Sequence, residues 1–166
     1  MKDKIEIIDN FLHKEVYQEI KDVMLGTKVA WFAQNGKTKP NEGDRQLTHL
    51  FYDNNTPNSE WFKLLDPIRK KLKVSAIIRE KANLTFYNNK VDDIFHIDTG
   101  KIKHATTSLF YLTDRGATIF KINNEKKVKA KENRMVTFDS TTYHKAVTHK
   151  TGDPFRVVIN FNYYKG

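Results

Sequence analysis

The chain has 166 residues, 39% hydrophobic and 12% aromatic, enough for one packed domain that buries roughly 70% of its unfolded surface. It has no cysteine, which excludes disulfides, thiolate metal sites and a cysteine nucleophile and leaves histidine and carboxylate as the good ligands. The net charge of +9 raises nucleic acid as a partner, but the basic residues are mostly lysine and scattered except at 70–73 and 126–131. A solvated surface is the simpler reading of such runs.

Ile5-Glu6-Ile7-Ile8 is a short β-prone run closed by Asp9-Asn10. The first residues lack the apolar run of a signal peptide, and no stretch nears the ~20 apolar residues of a membrane span. The expectation is therefore a cytoplasmic protein with no membrane partner. Leu12, Val16, Ile20, Val23 and Met24 line one face of a helix that ends near Gly26. Two aromatic-rich strands follow, at Val29–Phe32 and Leu47–Tyr52, joined by a long loop from Asn35 to Asp44. Trp61, Leu64, Leu65, Ile68 and Leu72 return to helical spacing, with Asp66 as a cap and Pro67 restarting the helix.

From Val74 the pattern turns to strands: Val74–Arg79, Leu84–Tyr87, Ile94–Asp98, Thr106–Leu112, Ala117–Ile122, Met135–Phe138, Lys145–His149 and Phe155–Tyr163. No linker or repeat divides the chain. One domain, 1–166, is expected, with helical support over 1–73 and a jelly-roll core over about 74–164. The fold class is mainly β with N-terminal helices packed on one sheet. In the last strand Phe155, Val157, Ile159, Phe161 and Tyr163 alternate with Arg156, Val158, Asn160 and Asn162. The apolar row suits a helix-covered face, and the polar row suits a barrel interior that holds a site.

Within the strand-rich part, Phe95-His96-Ile97-Asp98 sets a histidine and a carboxylate two residues apart. On a strand such residues share a face, roughly 6.6 Å apart at about 3.3 Å rise per residue, and can lean onto one ion. His144 and His149 follow, and Arg156 lies on the final strand. Two imidazoles and one carboxylate leave open positions on a metal and suit non-haem Fe(II). An inward-facing arginine near them needs an anion, which a ligand carboxylate supplies by a bidentate pair.

This order, His-x-Asp, then His, then Arg about a dozen residues later, resembles the Fe(II)/2-oxoglutarate-dependent dioxygenase superfamily, closest to its prolyl-hydroxylase-like subgroup. Further stretches are similar to that family: Ile7–Leu12 at the strand-to-helix entry, Thr107–Thr113 with its tyrosine, Gly116–Phe120, and Val128–Phe138 before the distal histidine. The resemblance covers about Leu84 to Tyr164 well and the N-terminal third loosely. It implies a double-stranded β-helix (a cupin-like jelly roll), with His96, Asp98 and His144 as the catalytic Fe(II) ligands. The lead Phe-Asp-Ser-Thr-Thr-Tyr favours His144 over His149 as the third ligand. It further implies 2-oxoglutarate and O2 as cosubstrates, with ascorbate allowed. Arg156 and Tyr111 would bind the far carboxylate of 2-oxoglutarate, and Tyr87 would line its pocket. Many relatives have Ser or Thr two residues after the arginine, where this chain has Val158, and many prolyl 4-hydroxylases have lysine in place of Arg156.

The implied activity couples oxidative decarboxylation of 2-oxoglutarate, to succinate and CO2, with hydroxylation of a peptide, protein or small-molecule substrate, a peptidyl proline among the candidates. Two alternatives stand beside it: a cupin-like metal-binding module without turnover, and a nucleic-acid demethylase. Arg156 argues against the first, since a plain metal binder needs no buried anchor for a dicarboxylate. His13, His49 and His104 read as exposed or loop histidines, and Asp92-Asp93 as a turn. Neither the substrate nor the oligomeric state is legible; residues 27–55 and 88–93 match no motif.

Overall fold

The strict alternation of the last strand organises the molecule. In the computed structural model, which describes residues 4–35, 45–86, 94–100, 102–147 and 155–166, that strand lies inside a large antiparallel sheet. The elements in chain order are β1 (Glu6–Ile8), α1 (Lys14–Leu25), β2 (Phe32–Asn35), β3 (Arg45–Asp53), β4 (Thr56–Pro57), a 3-10 helix (Glu60–Leu65) and α2 (Asp66–Leu72). There follow β5 (Val74–Phe86), β6 (Thr106–Tyr111), β7 (Ala117–Phe120), β8 (Lys126–Lys129), β9 (Arg134–Asp139), β10 (His144–Val147) and β11 (Phe155–Lys165). The large sheet runs β1-β9-β6-β11-β5-β3-β2 with β4 beside β3, and a small sheet runs β10-β7-β8. Antiparallel pairing and few helices make the molecule mainly β, and two sheets sharing one interior are consistent with a jelly roll.

Each face of the large sheet has its own cluster. On the outer face Val157, Ile159, Phe161 and Tyr163 of β11 and Ala82 and Leu84 of β5 pack with Tyr17, Ile20 and Met24 of α1 and Ile68 and Leu72 of α2. Between the sheets Leu109, Tyr111, Val136 and Val158 meet Phe120 and Val128 of the small sheet. The facing expected of β11 is therefore realised. Arg69 ties α2 to the outer face, donating to buried Glu80 at 2.6 Å and to the Phe62 carbonyl at 2.7 Å.

The N-terminal entry is pinned by the run before β9. Asn133, at φ 57°, accepts from the Leu12 amide at 2.9 Å and donates to the Leu12 carbonyl at 2.8 Å. Arg134 and Lys131 both hold Asp9.

Several local expectations change. Val74–Arg79 and, of the run expected at Leu84–Tyr87, Leu84 to Phe86 are parts of one long strand, β5, because Lys81 and Asn83, which interrupt the apolar run, face the interior as its polar row. Ile94–Asp98 is not a strand; it makes a single bridge, His96 to His144. Residues 1–73 supply β1, β2 and β3 to the large sheet as well as helices. Asp66 sits inside α2 rather than capping it, and Ser59 caps the preceding 3-10 helix by accepting from the Trp61 amide. The lysine run 126–131 contains β8, with Lys126, Lys127 and Lys129 exposed and Val128 buried. His49 is not exposed: it is buried on β3, its ring nitrogens bonded to the Ala30 carbonyl and the Ser59 hydroxyl, so it is a structural histidine. Among the described residues no helix is long and apolar enough to cross a membrane. Tyr87, His149, Asp92-Asp93 and most of the 35–44 loop lie outside the described residues.

Candidate metal centre

His96 and Asp98 are carried by a short extended segment that ends in a turn, where Gly100 adopts φ +64°. Two backbone bonds fix this segment to the small sheet: the His96 amide donates to the His144 carbonyl at 2.9 Å, and the His144 amide returns one to His96 at 3.0 Å. Two side chains of the large sheet hold it from the other side. Arg79 of β5 donates to the Asp98 carbonyl at 3.1 Å, and Asn160 of β11 donates to Asp98 Oδ2 at 2.7 Å. The segment thus bridges the two sheets, and both sheets aim it.

His96, Asp98 and His144 each offer one ligand atom, all within 4.8 Å of one another. The Nε2 atoms of His96 and His144 lie 3.5 and 3.4 Å from the Asp98 carboxylate oxygens. Each Nδ1 faces a carbonyl, Ile94 for His96 at 3.0 Å and Thr142 for His144 at 3.1 Å. A carbonyl only accepts, so each Nδ1 carries a proton, and in the neutral form of each ring the lone pair is left on Nε2, the atom that faces Asp98. That is the tautomer a metal ligand requires, set by backbone partners. Burial by itself would raise the Asp98 pKa; the positive charge that His144 carries in its protonated form, with hydrogen bonds from His144, His96 and the Asn160 amide, outweighs it and holds the carboxyl well below the usual range. A carboxylate and two oriented imidazoles form a donor set that fits Fe(II).

The same cavity, about 270 Å³, is lined by Arg156, Thr85, Asn83, Lys81, Arg79, Thr118 and Gln46 together with the three ligand residues. Arg156 is 4% exposed. It stands opposite Thr85 of β5, which stands opposite Gln46 of β3, so one level of three strands makes a polar row. Its Nη2 donates to the Thr118 hydroxyl at 3.4 Å, and its guanidinium carbon lies 5.5 Å from the Tyr111 ring centre. Gly116, at φ +75°, lets the arginine pass: a Cβ there would come within 3.0 Å of Arg156 Cδ and 2.3 Å of the Val147 carbonyl oxygen. Tyr111 is fully buried, with its hydroxyl 2.7 Å from that of Thr118. Thr118, rather than Tyr111, lines the cavity there.

His96, Asp98, His144 and Arg156 therefore share one cavity, with Tyr111 just behind its wall. Sequence reading missed Thr85, Thr118, Asn160, Lys81 and Arg79. Their one signal was alternation: Lys81, Asn83 and Thr85 form a polar row between Ala82 and Leu84, as Arg156 and Asn160 do on β11. Three buried side-chain atoms on this lining, Asn83 Oδ1, Thr85 Oγ1 and Asn160 Oδ1, make no hydrogen bond to a described residue. Orphaned polar atoms around one cavity are the mark of a site that a ligand completes.

No family model and no curated protein matches the chain. Solved structures do: the fold is the one seen in the 2OG-Fe(II) oxygenases. A 2OG-Fe(II) oxygenase family oxidoreductase from Burkholderia pseudomallei superposes with a TM-score of 0.72 at 12% identity, over 98% of this chain and 85% of that one. A prolyl hydroxylase from Trichoplax adhaerens, in complex with a hypoxia inducible factor oxygen degradation domain peptide, gives 0.69 at 17% identity over 97% and 83%. The epimerase SnoN, in complex with Fe3+, alpha ketoglutarate and nogalamycin RO, gives 0.68 at 10% identity over 99% and 80%.

Proposed function

We propose that this chain is an Fe(II)- and 2-oxoglutarate-dependent oxygenase, and specifically a hydroxylase. The observation that carries the reading is the pairing, in one cavity, of an oriented His96–Asp98–His144 donor set with a buried guanidinium at Arg156. The fold shared with 2OG-Fe(II) oxygenases supports it. Fe(II) would be held by His96 Nε2, Asp98 and His144 Nε2. When bound, the metal and 2-oxoglutarate supply O2 activation, with the cosubstrate leaving as succinate and CO2 and one oxygen atom inserted into a substrate C–H bond.

The chain's own residues bind, orient and keep out water. Arg156 would pair with the far carboxylate of 2-oxoglutarate. Thr85, beside it and carrying a hydroxyl with no described partner, would donate the second bond. That offers an answer to Val158, which stands where relatives carry Ser or Thr: the hydroxyl comes from the adjacent strand. Tyr111 would act at second hand, orienting Thr118, whose hydroxyl touches both Tyr111 and Arg156. Asn160 and Arg79 would keep Asp98 in place. Peptidyl hydroxylation has one supporting parallel, the peptide in the Trichoplax complex.

Anaerobic addition of Fe(II) and 2-oxoglutarate tests the reading. A weak visible charge-transfer band is expected with the wild type and is expected to vanish in Asp98→Ala. No band in the wild type, or the same band in both, would overturn the metal assignment.

A further inference from the structure

The inner face of β5 presents Thr85, Asn83, Lys81 and Arg79 in order, opposite Arg156, Val158, Asn160 and Asn162 of β11. The two ends of this double row differ. At one end Arg156 and Thr85 form the proposed cosubstrate anchor. Four residues further, about 13 Å at ~3.3 Å per residue, Asn160 holds the metal ligand Asp98, and Lys81 is its cross-strand partner. A dicarboxylate reaching from Arg156 to the metal occupies the first part of that span, so Lys81 and Arg79 flank the metal on the side left for the substrate.

Of these two cations, Arg79 is engaged, with the Asp98 carbonyl at 3.1 Å and Asn162 Oδ1 at 3.5 Å. Lys81 has no hydrogen bond or ion pair to any described residue, although it lines the cavity and is partly buried. Among the described lining residues Arg79, Lys81 and Arg156 are cations and Asp98 is the one carboxylate. A divalent metal and a dicarboxylate carry equal and opposite charge, so loading the centre supplies no surplus anion for Lys81. Burial and the charge of Arg79 outweigh the carboxylates of Asp98 and Asp53 and pull the Lys81 pKa down, so an anion brought into contact with this partly buried ammonium would offset a real cost.

We propose that the substrate handled at this centre carries an anionic group, a carboxylate or a phosphate, that pairs with Lys81. This rests on the oxygenase reading, since it takes the Arg156 end to be filled by 2-oxoglutarate. The anion is either that of a free small acid or phosphate ester, or an acidic side chain of a peptide; the chemistry at Lys81 is shared.

The test uses the full chain with Mn(II) and saturating 2-oxoglutarate under nitrogen, with binding followed by calorimetry. The probes are matched pairs: N-acetyl amino acids and their amides, blocked peptides with aspartate or asparagine, and glycerol phosphate with glycerol. The expected result is at least one anion bound ten-fold or more tighter than its neutral partner. That ratio is expected to disappear in Lys81→Met and survive in Lys81→Arg, with Mn(II) and 2-oxoglutarate affinities unchanged in both. The pair that responds identifies the source of the anion. Equal binding within every pair, or no anion bound, overturns the proposal while leaving the oxygenase reading intact. So does a Lys81→Met protein that loses 2-oxoglutarate, because Lys81 then serves the cosubstrate. A wild type that fails to bind 2-oxoglutarate at all removes both readings together.

Discussion

The two faces of β11 are built by neighbouring residues and do opposite work. On the outer face Val157, Ile159, Phe161 and Tyr163 are buried in one apolar cluster with residues of α1, α2 and β5, and the one polar atom among their side chains, the Tyr163 hydroxyl, is bonded to Ser108 at 3.0 Å. On the inner face Arg156 and Asn160 are nearly as buried, yet they face a cavity with orphaned polar atoms. Burial alone does not separate core from site. What separates them is the lining, which on the inner face includes buried oxygens with no described partner, Asn160 Oδ1 and Thr85 Oγ1.

The outer face should dominate stability. Phe161→Ala is expected to cost about 3–5 kcal/mol, the range for large-to-small changes in a packed core, and a urea titration would read it. The inner face should barely move stability and should govern ligands instead. Arg156→Met is expected to weaken 2-oxoglutarate by about 100-fold, as loss of charge-assisted hydrogen bonds worth ~1.5–3 kcal/mol implies. Mn(II) affinity measured without cosubstrate should stay within a few-fold; an equal loss of both would erase the distinction between anchor and metal centre. Thr85→Val keeps shape and removes only the hydroxyl, so about five-fold weaker 2-oxoglutarate is expected, matching the ~1 kcal/mol of a single hydrogen bond. An unchanged affinity would return the second anchoring role to Tyr111.

The smallest effect belongs to a three-residue ion cluster on neither face. Arg134 and Lys131 hold the Asp9 carboxyl near pKa 2, below its ordinary 3.8. A depressed carboxylate stabilises the fold above the ordinary value, and the contribution is lost as pH falls through about 2. Because Asp9 is more than a third exposed, solvent screening limits the effect, and Asp9→Asn is expected to cost under about 1 kcal/mol at neutral pH. Thermal melts from pH 2 to 7 would show the mutant and wild type converging at the acid end.

How much was legible depended on whether the signal was local. Alternation in β11 and helical spacing in α1 are properties of consecutive residues, so the core could be read directly. The candidate metal ligands His96 and Asp98 were legible by residue type and spacing even though the strand assumed for Ile94–Asp98 is a bridged, extended segment; one extended residue between two sheets suffices to converge the pair. Lys81, Thr85, Asn160 and Thr118 were not legible, because their importance comes from strand pairing. Thr85 matters because register puts it opposite Arg156, and Lys81 because register puts it opposite Asn160.

By itself the sequence determined a mainly β chain, a cysteine-free donor set of His96, Asp98 and His144, and an arginine with the chemistry to hold a carboxylate. The β class follows from residue type and period, which short-range physics decides, while the choice of His144 over His149 and the role of the arginine came from the resemblance to the dioxygenases. Only the tertiary structure decided that β10 and β11 bring His144 and Arg156 to one cavity, that backbone carbonyls orient both imidazoles, and that a second cation stands beside the metal centre. Those facts depend on which strands pair and in what register, and long-range packing settles both.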